Sequence, residues 1–106
     1  MFGNGNMQEM MAKMQEMQKG VEESKQRMNN IFVKGESEDK NVRFVMNGNR
    51  VVKDVEIDES MLTSDQKETL QNNIEAAFNK ALENANSIND GEMKNAALGL
   101  MPNLGM

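Results

Sequence analysis

Between Met7 and Ile31 the apolar residues recur at alternating steps of three and four. They fall at Met7, Met10, Met14, Met17, Val21, Met28 and Ile31, with Ser24 at the one polar step. This is a heptad seam, with Met7, Met14, Val21 and Met28 in one register and Met10, Met17, Ser24 and Ile31 in the other. The positions between are mostly Gln, Glu, Lys, Arg and Asn, so the opposite face of the predicted helix is in water. Such a helix is roughly 37 Å long, whereas a strand of seven residues spans about 23 Å. A helix of this length on a small sheet therefore overhangs it by about 15 Å. The overhanging stripe needs a second helix, a second subunit, or both.

The chain after Asn29-Asn30, which mark the expected helix end, supplies that sheet. Residues 31–37 form a β-branched run that reads as a strand, and Glu38-Asp39 reads as a turn. Val42, Phe44 and Met46 then alternate with Arg43 and Val45, the period of a half-buried strand. Asn47-Gly48 follows as a hairpin signal, because both residues tolerate positive φ. Arg50 to Ile57 returns, with Val51, Val55 and Ile57 expected on one face and Val52, Asp54 and Glu56 on the other. Three strands joined by tight turns make an antiparallel meander with one wet face.

A second long helix covers the dry face. Thr63 and Gln66, with Asp65 between them, match a capping box. Leu70, Ile74, Ala77, Phe78, Ala81, Leu82, Ala85 and Ile88 then repeat at three and four, which predicts a helix over 64–88. Its Ala77, Ala81 and Ala85 permit close approach of a neighbouring element. Asn89-Asp90-Gly91 reads as its break. The expected organisation is thus one α-β-β-β-α domain over 1–90, of α+β class, with a flexible or partly helical tail over 91–106. Residues 1–6 are Gly- and Asn-rich and read as mobile, with Asn6 placed to cap the first helix.

Composition narrows function chiefly by what is missing. The 106 residues contain no Cys and no His, so thiolate chemistry is excluded and the commonest general base and metal ligand is lacking. Ser37, Ser60, Ser64 and Ser87 have no His to activate them. The carboxylates Glu36, Glu38, Asp39 and Asp54, Glu56, Asp58, Glu59 lack the spacing of a calcium loop and read as solvated strand ends. No catalytic residue, metal ligand, cofactor or small-molecule substrate is expected. No apolar run reaches the ~18 residues a membrane span needs, and no basic-then-apolar leader opens the chain, so a cytoplasmic, unprocessed protein is expected.

The net charge of −5 is unevenly placed. Residues 1–57 are balanced, and the whole acidic excess falls within residues 58–106. An acidic total opposes non-specific nucleic-acid binding unless the cations share one surface. Lys13, Lys19, Lys25 and Arg27 lie on the first helix, and Arg43, Arg50 and Lys53 flank the hairpin. Lys13, Lys19 and Lys25 are six residues apart, so they drift around the helix rather than forming a stripe. The chain has twelve Met beside four Phe and no Trp or Tyr, and five of the Met lie in the seam. Met is an ordinary core filler at helical spacing, and its flexibility also suits a surface that accepts approximate partners.

These segments together resemble the YbaB/EbfC family of bacterial nucleoid-associated proteins. The resemblance rests on Met-Phe-Gly at the start, the Met/Gln-rich first helix, Gly35-Glu36-Ser37, Met46-Asn47-Gly48 and Val55-Glu56-Ile57-Asp58. The Ser60–Leu62 connector, Ala-Phe-Asn-Lys-Ala at 77–81 and the Gly/Leu/Pro tail at 98–105 continue it in order. Glu59 stands where the family usually has Pro, a departure confined to the connector. The resemblance implies an α/β subunit that dimerises through its sheet core and projects its long helices as paired arms. It also implies binding of double-stranded DNA with low sequence preference, nucleoid organisation and an influence on expression. No family motif assigns the contacts, so Lys13, Lys19, Lys25, Arg27, Arg43, Arg50 and Lys53 are candidates from charge and position alone. The competing expectation is a non-enzymatic interaction module that docks a partner helix on the Met-rich surface.

Overall fold

A computed structural model of the chain describes the backbone of residues 4–100 and the side chains of residues 7–95. The first helix, α1, spans Asn4–Asn29. Asn6 therefore lies in its first turn rather than at its cap, and the expectation for residues 1–3 falls outside the described residues. The meander follows as β1 (Phe32–Glu36), β2 (Val42–Asn47) and β3 (Val52–Ile57), antiparallel throughout in the order β1-β2-β3. A long helix, α2, spans Lys67–Leu100. The α+β order expected from the sequence is the one observed.

The core lies between one sheet face and α2. Val42, Phe44 and Met46 of β2 are buried against Ala77, Ala81 and Ala85 of α2, with Val33, Leu70, Ile74 and Leu82 packed around them. The small-residue stripe lets the helix settle onto the backbone of β1. A Cβ on Gly35 would sit 2.2 Å from both the Ala77 carbonyl oxygen and the Ala81 nitrogen, so only glycine fits. Asn84 Nδ2 of α2 also donates to the Lys34 carbonyl (2.8 Å). Because α2 packs on β1 and β2, it leaves β3 uncovered. Val52 and Val55 lie on the α2 side, opposite Met46 and Phe44 in register, yet both remain exposed. Phe78 stacks edge-on against Phe44, centroids 5.6 Å apart, and is itself partly exposed beside them.

Two turns differ from expectation. Asn47-Gly48 does not form a tight turn with both residues at positive φ, and no described glycine has positive φ. Arg50 N donates to the Asn47 carbonyl (3.0 Å), Asn47 N donates to the Val51 carbonyl (2.9 Å), and Arg50 carries the positive φ of 65°. This is a type I turn followed by a left-handed residue, the usual three-residue hairpin, with Arg where Gly is favoured. The longer loop and a bulge next to Met46 shift the parity of β3, so Val52 rather than Val51 joins Val55 and Ile57. Gly48 serves close approach instead. Its N–H is shared between the Met28 and Ile31 carbonyls (2.9 and 3.0 Å), and a Cβ there would lie 2.9 Å from that of Met28.

At the start of α2 the capping box does not form. Thr63 makes no side-chain cap bond, and residues Ser64–Gln66 form a short 3-10 turn ahead of the helix. The preceding connector, Glu59–Met61, is a 3-10 turn capped by Asp58. At the other end, the break expected at Asn89-Asp90-Gly91 is absent, and α2 continues through it to Leu100. Local propensity there is poor, Gly alone costing about 1 kcal/mol relative to Ala. Tertiary contacts oppose that cost: Asn89 Nδ2 reaches the Gly48 carbonyl (3.5 Å), and Glu92 is held by α1. The described helix thus crosses the expected boundary at residue 90, and the tail over 101–106 lies outside the described residues.

Candidate nucleic-acid interface

The overhang predicted from helix length is present. The molecule measures 76 × 28 × 19 Å with a radius of gyration of 20.9 Å, against about 13 Å for a compact chain of this length. The two helices meet only near the sheet, where Ser24 and Met28 of α1 are buried. Met7, Met10, Met11, Met14, Met17 and Val21 are all exposed. The second helix therefore closes only the C-terminal end of the seam, and the N-terminal part of α1 stands out as an arm.

The base of that arm is pinned by three polar groups. Glu92 Oε1 accepts from Ser24 Oγ (2.9 Å) and Arg27 Nε (2.9 Å), and Arg27 Nη2 also reaches it. Arg27 Nη2 donates to Ser24 Oγ as well (3.0 Å). The Arg27 guanidinium, with help from the Ser24 hydroxyl, holds the Glu92 carboxyl below its ordinary range. Ser24 is thus not a flaw in the heptad but the inward polar contact of the helix pair. Its partner Glu92 falls in the stretch that local pattern reads as tail, which hides the contact from the sequence. The available signal was the step of three and then four from Ala85 through Ile88 to Glu92.

The candidate cations divide into those the fold has paired and those it presents to solvent. Arg27 is committed to Glu92. Arg43 lies on the sheet face away from α2 and pairs with Glu56 of β3 at 2.5 Å. Arg50 donates to Asn86 Oδ1 of α2 (2.5 Å). Lys13, Lys19 and Lys25 are exposed along α1, and Lys53 is exposed on β3. No carboxylate partner appears for these four lysines among the described residues.

The fold brings Lys25 and Arg50 together, since Asn49 Nδ2 donates to the Lys25 carbonyl (2.9 Å) and ties the hairpin to α1. They flank a groove floored by Val21, Met28 and Met93 at the root of the arm. Lys13 and Lys19 lie further out along the arm. Arg43 and Lys53 are not part of this group. The arrangement offers separated ammonium groups on a protruding rod, which suits contacts to a run of phosphates. Among the described residues no group of three or more His, Cys, Asp or Glu is placed to hold a metal ion, and no helix is long and apolar enough to cross a membrane.

Comparison with known proteins supplies the context for this rod. The model of the YbaB/EbfC DNA-binding family matches residues 3–101. A nucleoid-associated protein of Flavobacterium johnsoniae is 33% identical over 95 residues, covering 90% of this chain and 88% of the relative. One from Hahella chejuensis is 36% identical over 104 residues, covering 96% and 95%. The crystal structure of an uncharacterized protein from Helicobacter pylori superposes with a TM-score of 0.67 at 22% identity, covering 83% of this chain and 88% of that one, which is a likeness of fold. Two relatives above 30% identity and a family model spanning nearly the whole length agree. The chain belongs to the YbaB/EbfC DNA-binding family.

Proposed function

We propose that the protein binds double-stranded DNA as a homodimer, with low sequence specificity, and that it organises the nucleoid and thereby influences expression. The observation that carries this reading is the projecting α1, on which Lys13, Lys19 and Lys25 face solvent while Arg27 and Arg43 are drawn into ion pairs. The three lysines are the phosphate contacts, with Arg50 and Lys53 contributing near the sheet. Arg27 and Arg43 contribute less, because a guanidinium already held by a carboxylate must give up that contact to engage a phosphate. The second copy covers the apolar trough of Val52, Val55 and Phe78 beside α2, which leaves both arms free and doubles the number of lysines offered to one duplex.

Each phosphate neutralised contributes about −0.9 to the slope of log K against log salt, so binding through a few lysines per subunit is weak and fades quickly as salt rises. The test is retardation of a random-sequence duplex at low and moderate salt. Replacing Lys13, Lys19 and Lys25 together with Glu abolishes the retarded band on this reading. A triple variant that shifts DNA unchanged refutes the contact assignment. The exposed Met stripe favours one alternative, a module that docks a partner helix on α1; there the triple variant keeps its protein partner and DNA binding is incidental.

A further inference from the structure

The twelve methionines are not equivalent. Met28, Met46 and Met61 are 4%, 0% and 3% exposed, whereas Met7, Met10, Met11, Met14 and Met17 are 49–65% exposed and occupy eleven consecutive residues of one helix. We propose that α1 is an oxidation site: hydrogen peroxide converts the thioethers of these five arm methionines to sulfoxides, selectively over the core methionines, and so loosens the arm. In each event a sulfur lone pair attacks one peroxide oxygen as the O–O bond breaks. Sulfur is oxidised by two electrons, one oxygen is transferred to it, and the other leaves as water once the proton has moved. A thioether has no acidic form to tune, so access alone selects the site, and access separates the arm methionines, together with Met93 of α2 at 58%, from the three buried ones.

The consequence follows from what supports the arm. Ser24 and Met28 anchor α1 to the hairpin and α2, and the described side chains from Met7 to Lys19 are all exposed. The apolar contacts available to this segment are the steps of three and four within the stripe itself, Met7 to Met10 and Met11, Met10 to Met14, and Met14 to Met17. An isolated helix of this length is marginal in water. Exchanging its flexible apolar groups for polar, chiral sulfoxides removes those contacts. The core methionines Met46 and Met61 sit in or beside the sheet, so the same oxidant leaves the domain folded.

The experiment treats the full chain with dilute hydrogen peroxide and follows each methionine by peptide mass spectrometry, with helix content read in parallel by circular dichroism. The expected result is oxidation of the five arm methionines at least roughly ten-fold faster than Met28, Met46 and Met61. It comes with a loss of helical signal at an unchanged main thermal transition, and methionine sulfoxide reductases restore that signal. A variant with all five replaced by Leu keeps the apolar stripe and loses no helix on the same treatment. Arm methionines that oxidise no faster than the core ones, as they would if another copy covered them, overturn the proposal. So does selective oxidation that leaves the helical signal intact.

Discussion

Replacing Gly35 by Ala tests how α2 is seated. The added Cβ would stand 2.2 Å from the Ala77 carbonyl oxygen, 2.2 Å from the Ala81 nitrogen and 2.8 Å from the Ala81 Cα. All three are backbone atoms, so no side chain can rotate away, and reaching ordinary contact near 3.4 Å requires α2 and β1 to part by about 1 Å. That movement loosens the contacts of Val42, Phe44 and Met46 with the alanine stripe. Overpacking ordinarily costs about 1–3 kcal/mol, and a clash between two backbones belongs at the upper end or beyond, about 3 kcal/mol. For a domain of this size that lowers Tm by roughly 15 °C. Thermal melts by circular dichroism, at one protein concentration for both variants, read it directly. Gly20→Ala is the internal contrast, because nothing lies within 4 Å of its Cβ position in α1; there the same substitution stabilises by about 0.5–1 kcal/mol. A Gly35→Ala protein that melts within roughly 3 °C of the parent refutes the close seating of α2 on β1.

Other outcomes follow from single features. Lys40 has a φ of 64°, so Lys40→Gly relieves a left-handed residue and raises stability by about 1 kcal/mol in urea denaturation. The carboxyls of Asp39, Asp58, Asp65 and Glu92 are all held below their ordinary values of 3.8 and 4.5, chiefly by hydrogen bonds from Ser37, Ser60, Thr63 and Arg27 respectively. Groups lowered in the folded state contribute stability above their unfolded values and lose it as pH falls through the folded ones, so stability holds above about pH 5 and declines below about pH 4. In salt titrations of DNA binding, removing one arm lysine flattens the slope by about 0.9 per subunit, while Arg43→Gln, which removes a paired cation, changes it less. Val55→Asp places a charge in the trough proposed to receive the second copy, and light scattering then reports a lower mass than for the parent.

How much of this was legible in the sequence depended on whether local pattern or distant contact decided the outcome. The seam of α1, the alternation of β2 and the alanine stripe of α2 were readable because periodicity and burial agree there. The unclosed arm was readable from length alone. The hairpin at Asn47-Gly48 was placed correctly but built differently, because Gly48 is needed to approach Met28, and Arg50 takes the left-handed position in its stead. The end of α2 departs from local pattern for the same reason: Asn89-Asp90-Gly91 is a break by propensity, yet Ser24 and Arg27, some sixty-five residues away, hold Glu92. That contact also sets Arg27 apart from the exposed lysines of the same helix. By charge and spacing Arg27 and Lys25 are equals, and nothing local distinguishes one with a carboxylate beside it from one without.

Pairing of two copies through Val52, Val55 and Phe78 is the claim on which the doubled arms and the DNA-binding reading depend. Multi-angle light scattering at micromolar concentration measures it most directly. A single species at twice the subunit mass of 11.9 kDa is the expected result, and a species at the subunit mass alone contradicts it.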